Sequence, residues 1–511
     1  MEATERFDLT ETYSGQRWVE ALADYYIIVE EQAKTETLTF FDTFDWRLFN
    51  ESLLLYQSGY DLILQDLSND NPLYRQSINA PVTFAWDLPE GKLKKQLEPL
   101  IEMRALLELT QAHLHSAVFR ILNDDEKTVV RLLYQSLEPH NQADATAAPT
   151  EQVSLKPVRG YRKHAKNIRH HLEMLGLRPN ADSLLAKALA LGNRPPGDYS
   201  SQFVPQLQAD MPAAEATKII LRVLLQTMRK NEAGIVEDID SEFLHDFRVA
   251  VRRTRSVLSQ VKAVFPAQVT ERFKQDFAWI GKLTNDLRDL DVYLLAKDGY
   301  KMMLPDTLRD DISPLFEYLR QKRSLALKKV TDGLASKKYT ITLQAWERFL
   351  REPIALSPTA PNSHVPIIEL ARRQIYKKYR RIIKQGSQIL ENTEDERLHD
   401  LRIECKKLRY LLEFFSSLFS PKKMKRLVKQ LKRLQVNLGD FNDLCVQEAY
   451  LVNIAQEMPL SDEQSKKVFL AIGSLIDTLD QQRVRVRADF ARTFAKFARP
   501  TNKKHFKELF Q

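Results

Sequence analysis

The strongest constraint on this chain is a tandem repeat at a fixed offset of 154 residues. Leu244-His245-Asp246-Phe247-Arg248 recurs as Leu398-His399-Asp400-Leu401-Arg402, and the register then holds without a gap. Arg255 meets Arg409, Leu258 meets Leu412, Phe265 meets Phe419 and Arg272 meets Arg426. Asp286, Asp289, Leu290 and Val292 meet Asp440, Asp443, Leu444 and Val446, while upstream Lys218 meets Arg372 and Lys230 meets Lys384. So many matches at one spacing mean a duplicated structural unit, and the two copies are expected to build related halves of one architecture.

The repeat lies in a stretch with a helical pattern. From Ala214 to Gln511 apolar residues recur at helical spacing with few glycines, and breaks fall near Pro266, Pro305, Pro353 to Pro366, Pro421 and Pro459. Helices of about 20 residues between such breaks predict antiparallel hairpins. The first 190 residues differ, reading as mixed α and β. Thr37 to Phe41, Ala117 to Leu122 and Thr128 to Leu133 are short β-branched and aromatic runs bracketed by turn-forming or charged residues, as strands require. Asn123-Asp124-Asp125 is expected to turn a hairpin, and His140 to Thr150 to form an exposed loop. The proline-rich stretch Gly192 to Pro212 is the candidate linker. The domains expected are therefore 1–190, a linker over 191–213, and a helical region over 214–505 with halves at 214–352 and 366–505.

At 511 residues, 43% hydrophobic and 28% charged, the composition is that of an ordinary globular chain. No run of about 18 apolar residues offers a membrane span. The N-terminus, with Glu2, Glu5 and Asp8, lacks the pattern of a secretory signal, and a cytoplasmic location is expected. Cys405 and Cys445 make neither a disulfide framework nor a four-ligand zinc site, and each sits among apolar neighbours as a small core residue would. The net charge is +8, but Pro366 to Arg433 alone holds 19 Lys or Arg against 8 Asp or Glu. Such a concentration of positive charge points to an anionic partner.

On a helix, Leu244, Phe247, Val251, Thr254, Leu258, Val261 and Phe265 form a core seam, stepping by alternating threes and fours. His245, Arg248, Arg252 and Arg255 follow the same steps displaced by one residue, so they form a stripe about 100° from the seam. The second copy repeats both: Leu398, Leu401, Cys405, Leu408 and Leu412 make the seam, and His399, Arg402, Lys406 and Arg409 the stripe. Few carboxylates stand where i,i+4 pairing would neutralise either stripe, although Asp246 and Glu404 are near. Each histidine opens its stripe close to a helix start, where it can donate to an anion or pair with a neighbouring group. The repeat-matched cations Lys218 with Arg372, Lys230 with Lys384, and Arg272 with Arg426 are counted with the candidate binding residues.

The LHDFRVAVRRTR and LHDLRIECKKLRY segments, followed by NDLRDLDV and GDFNDLCV, resemble the CHAD family over roughly residues 214–505. The resemblance implies two four-helix bundles related by pseudo-twofold symmetry, with inorganic polyphosphate held non-catalytically in a basic groove. Carried over residue by residue, it adds Arg253 and Lys407 to the eight stripe residues. It also suggests association with polyphosphate granules, as for some members. The N-terminal region resembles a diverged CYTH domain, an antiparallel β tunnel that binds triphosphate. The similar segments are Phe40-Phe41-Asp42-Thr43-Phe44-Asp45-Trp46-Arg47-Leu48, Val118 to Leu122, Val129 to Leu133 and Lys156 to Tyr161. Active CYTH enzymes carry an ExExK strand whose carboxylates hold a divalent metal, but this chain reads Glu5-Arg6-Phe7-Asp8-Leu9. Catalysis is therefore not expected, and neither is a cofactor or resident metal. Arg120 and Arg131 lie mid-strand, facing either a tunnel or solvent.

Two other functions compete with polyphosphate binding. One is a metal-dependent triphosphatase in the N-terminal domain, which the missing ExExK argues against. The other is nucleic-acid binding, with Tyr376, Tyr379 and Tyr410 among the basic residues as stacking platforms, though their spacing suits core packing equally well.

Overall fold

The computed structural model describes residues 5–31, 33–67, 72–140, 149–180, 183–189, 194–353, 359–390, 393–459 and 463–511. The chain divides into two compact units, Met1–Ser200 and Ser201–Gln511. The expected loop from His140 to Thr150 falls largely outside the described residues.

The first unit is an antiparallel sheet. Its strands are β1 (Glu5–Asp8), β2 (Ile27–Glu30), β3 (Lys34–Asp42), β4 (Leu53–Ser58), β5 (Asp61–Asp66), β6 (Pro72–Ser77), β7 (Leu107–Leu122), β8 (Thr128–Pro139), β9 (Thr150–Pro157) and β10 (Arg178–Asn180). They are ordered β10-β1-β9-β8-β7-β3-β4-β5-β6, and β2 pairs with the far end of β7. The three expected strand runs lie inside β3, β7 and β8. Between β7 and β8 the side chain of Asn123 accepts the Lys127 N–H at 2.9 Å, and Glu126 takes a positive φ of 59° to close the turn.

Strand alternation gives this sheet two different faces. On one, Phe119, Leu132 and Val153 pack under Trp18 and Leu22 of α1 (Arg17–Ala23) and Ile168 and Leu172 of α4 (Arg162–Met174). Farther along, the short helix α2 (Arg47–Asn50) and α3 (Lys92–Ile101) cover Leu55, Leu62 and Leu64. The other face curls inward. At one end it is filled by Leu184, Leu185 and Ala188 of α5 (Leu184–Ala188) against Leu38, Tyr56, Ile63 and Leu114. The remainder encloses a polar cavity of about 440 Å3. Asp42 lies outside that cavity. It is buried and accepts N–H groups from Thr43, Leu48 and Phe49, so it caps α2. Burial pushes its carboxyl up to about 6 against these hydrogen bonds.

The second unit is helical. Its first half comprises α6 (Ala213–Val236), α7 (Ser241–Gln260), α8 (Ala267–Leu283), α9 (Asn285–Leu295), α10 (Lys297–Met303), α11 (Ser313–Leu334) and α12 (Lys337–Arg351). The second comprises α13 (Ile367–Gly386), α14 (Asp395–Phe414), α15 (Pro421–Glu457), α16 (Glu463–Ala488), α17 (Phe490–Phe497) and α18 (Pro500–Phe510). The helices α7 and α14 carry the repeated motif, and every seam residue from Leu244 to Phe265 and from Leu398 to Leu412 is buried. Asp240 starts α7 by accepting the N–H groups of Glu242 and Phe243 at 2.8 and 3.2 Å, a cap of the kind that contributes about 1 kcal/mol.

The two halves differ where α15 runs unbroken for 37 residues but its counterpart is split into α8, α9 and α10, with breaks at Thr284 and Ala296. The first of these breaks lies at Thr284, whose repeat mate is Leu438. Its hydroxyl donates back to the carbonyls of Ile280 and Gly281, which competes with the helix ladder and bends it. Cys405 is buried, which raises its thiol, and Cys445 is half-buried. Among the described residues no helix is long and apolar enough to cross a membrane.

Candidate anion-binding site

Each stripe lies against the helix that follows it in its own half. Arg248 reaches into the α8–α9 break, donating to the Gly281 carbonyl, the Thr284 hydroxyl and Asn285 Oδ1 at 3.2, 2.8 and 2.9 Å. Its mate Arg402 donates to Asp443 on α15 at 3.0 Å. Burial lowers the proton affinity of both guanidiniums, with Asp289 acting against this at Arg248 and Asp443 at Arg402. Asp289 and Asp443 are themselves repeat mates, so each half supplies an acid beside the first arginine of its stripe.

The two histidines are held at equivalent positions by different partners. Arg288 donates to His245 Nδ1 at 2.9 Å, and because arginine can only donate, Nδ1 is the acceptor and Nε2 bears the proton. His399 Nδ1 instead lies 2.7 Å from Asn442 Oδ1, so Nδ1 donates. Arg288 and Asn442 are 154 residues apart, and sequence reasoning did not assign them. The signal that could have found them is their equal distance of 43 residues from each histidine.

Across the two halves the middle of the stripes converges. Arg252, Lys406 and Arg402 are close enough to interact electrostatically. Lys406 is pushed down to about 8, first by its burial and then by Arg402 and Arg252. Among the described residues no carboxylate pairs with Arg252, Arg255 or Lys406, whereas Arg409 is bound to Glu413 at 2.6 Å. Positive charges from both copies are thus gathered with incomplete neutralisation, an arrangement that favours a bound anion.

Other sequence candidates are placed elsewhere. Arg253 and Lys407 stand one residue beyond the stripe, which turns them about 100° away. Arg253 pairs with Glu413 at 2.9 Å and lies over the Phe203 ring, and Lys407 pairs with Glu404 at 2.9 Å. Lys218 is a correction: it is buried, and its ammonium donates to the carbonyls of Phe349 and Glu352 at 2.7 and 2.6 Å, closing the end of α12. Lys230, Arg372, Lys384, Arg272 and Arg426 are exposed on α6, α13, α8 and α15, and Arg272 lies 3.9 Å from Asp276. The expected stacking platforms are also depleted. Tyr379 is buried against Phe506 with ring centroids 3.9 Å apart, and half-buried Tyr410 stacks on Phe414.

In the first unit, Lys34, Glu36, Asp61, Arg75 and Lys156 line the cavity. Lys34 binds Glu36 at 2.9 Å, and Arg75 stands 3.8 Å from Asp61. Asp8 is held by Lys187 at 2.7 Å and by Asn180. Arg120 and Arg131 face each other across β7 and β8, and Arg120 is paired with Glu31 at 3.1 Å.

Residues 219–452 match the CHAD domain family model. Over 281 residues the chain is 25% identical to an uncharacterized protein of Mycobacterium tuberculosis, covering 52% of this chain and 50% of that protein. The chain therefore spans about half the length of the curated relatives it matches. Among solved structures, the CHAD domain of the plant Ricinus communis is 26% identical with a TM-score of 0.49, covering 60% of this chain and 98% of that one. The Hippeastrum protein HpAC1, described as having a dominant triphosphatase activity, is 14% identical with a TM-score of 0.28, covering 38% of this chain and 98% of that one. The N-terminal antiparallel sheet resembles a CYTH-like tunnel. Residues 219–452, which carry both histidine-led stripes, are a CHAD domain.

Proposed function

We propose that the converging stripes of α7 and α14 bind inorganic polyphosphate and do so without catalysis. The observation that carries this reading is the pairing of Arg252 with its repeat mate Lys406, one from each half, close together and without carboxylate partners among the described residues. A flexible chain with a negative charge on every unit can satisfy both stripes at once, through charge-assisted hydrogen bonds from Arg and Lys. Arg248 and Arg402, each anchored in the following helix, frame that contact, and His245 and His399 open the two stripes with Nδ1 held by Arg288 and Asn442.

The test is a titration of long-chain polyphosphate at several salt concentrations, with double-stranded DNA as competitor. Saturable binding that weakens with salt and is poorly displaced by DNA supports the reading. Equal displacement by DNA overturns it in favour of a general polyanion surface.

The non-catalytic part rests on β1. β1 reads Glu5-Arg6-Phe7-Asp8, without the ExExK that active CYTH enzymes carry, and Asp8 is bonded to Lys187 and Asn180. Incubation with triphosphate and Mg2+ or Mn2+ should release no phosphate above background. A metal-dependent release lost on Lys156→Ala would establish the triphosphatase reading instead.

A further inference from the structure

A second basic pocket, of about 310 Å3, lies between the end of α7 and the middles of α13 and α14. It is lined by Lys262, Lys377, Lys378, Arg381 and Lys407, with the buried Glu404 among them. Glu404 is shared by three of these cations, accepting from Lys378 at 2.8 Å and Lys407 at 2.9 Å with Arg381 at 3.4 Å. Burial would raise its carboxyl, but the hydrogen bonds from Lys378 and Lys407 hold it below the ordinary range. Among the described residues neither Lys262 nor Lys377 has a carboxylate partner. One acid therefore faces five cations.

This pocket is separate from the stripes. At 100° per residue, Glu404 points to the side of α14 opposite Arg402, Lys406 and Arg409, and Lys407 is turned at least 100° from each of them. It is also absent from the other copy. The repeat mates of Gln374, Lys377, Lys378, Arg381 and Glu404 are Ile220, Val223, Leu224, Thr227 and Ala250. A solvated helix face explains scattered surface lysines, but not a buried carboxylate organising Lys378, Arg381 and Lys407 where the duplicate has Leu224, Thr227 and Arg253 around Ala250 and so no acid at that position. Gln260, 7% exposed, completes the wall. Its amide nitrogen donates to Ser256 and to the Lys407 carbonyl, while its buried Oε1 has no partner. That acceptor suits a ligand hydroxyl rather than a phosphate oxygen.

We propose that this pocket binds a small phosphorylated polyol bearing at least two phosphate groups, at a site independent of the polyphosphate stripes. The volume is at the lower end for small-molecule sites, which favours a compact ligand. Phosphates take up the charge of Lys262, Lys377 and Arg381, and a hydroxyl meets Gln260.

Calorimetry on the full chain with fructose 1,6-bisphosphate as probe tests this, alongside long-chain polyphosphate. The variants are Lys377→Glu with Arg381→Glu in the pocket and Arg252→Glu with Lys406→Glu in the stripes, their folding checked by circular dichroism. The pocket variant should lose at least tenfold in affinity for the sugar bisphosphate and keep polyphosphate binding. The stripe variant should keep the sugar bisphosphate. No saturable binding to the wild-type chain, unchanged binding in the pocket variant, or loss only in the stripe variant overturns the proposal. Because Lys377 and Arg381 are exposed, Lys377→Gln with Arg381→Gln serves as a second pair should charge reversal disturb folding. If the stripe variant retains polyphosphate, the groove reading fails while this one stands on its own result.

Discussion

Pro212 and Pro366, repeat mates 154 residues apart, form an isolated antiparallel bridge just ahead of α6 and α13. The hydrogen bonds around it come in matched pairs. Ala213 N–H donates to Val365 as Ile367 N–H does to Met211, both at 2.9 Å. Ala214 N–H donates to Ser363 at 3.0 Å as Ile368 N–H does to Ala209 at 3.2 Å. Each half thus satisfies the open N–H groups at the start of the other half's first helix. This is local pseudo-twofold symmetry, and it holds the two copies together at their entrances.

Charge reversal at the convergence of the stripes is the most direct test of the groove. Arg252→Glu with Lys406→Glu should reduce polyphosphate affinity by at least a hundredfold and flatten its salt dependence, because fewer counterions are released on binding. Arg253→Ala is the contrast, since Arg253 serves Glu413 and Phe203. It should leave affinity within about threefold, or about 0.65 kcal/mol. Filter binding at three salt concentrations reads both.

Binding should depend on pH through Lys406, which stands at about 8 in the folded chain against an ordinary 10.5. Because the folded value lies below the unfolded one, the charged ammonium costs stability below about pH 8, and that cost is relieved as pH rises from 8 toward 10.5. A bound polyanion acts in the opposite sense by stabilising the ammonium. Binding near pH 8 should therefore take up a proton, and affinity should fall above pH 8 by up to about tenfold per pH unit. Calorimetry in buffers of different ionisation enthalpy measures the uptake, and Lys406→Arg should abolish it.

Lys218 is expected to matter for stability rather than for binding. Lys218→Met leaves the Phe349 and Glu352 carbonyls without their charged donor. The loss should be about 2 kcal/mol, the scale for a hydrogen bond to a charged group. Urea unfolding measures it, and polyphosphate affinity of the folded variant should stay within about twofold.

Gly234 permits the close crossing of α6 and α7, because a Cβ there would collide with the ring of buried Phe243. Gly234→Ala should cost about 1–3 kcal/mol through overpacking. Gly299→Ala, on α10 with no neighbour near the added carbon, should be neutral or slightly stabilising. Thermal melts of the two variants separate the effects.

Much of this protein is legible in its residue order. The offset of 154 announces the duplication, helical spacing identifies the buried seams of α7 and α14, and β-branched runs mark β3, β7 and β8. These are local features, because side-chain periodicity along one helix or strand decides which face is apolar. Stripe membership follows for the same reason, since residues three and four apart share a helix face.

Which cations remain available to a ligand was decided only by tertiary structure. Glu413 lies 160 residues from Arg253, and the carbonyl that takes up Lys218 is 131 residues away, so no local pattern reveals that these charges are committed. The filling of one end of the sheet by α5 and the assembly of five cations around Glu404 likewise depend on segments distant in sequence. Charge is a property of each side chain alone, but its neutralisation depends on partners that folding brings within a few ångströms.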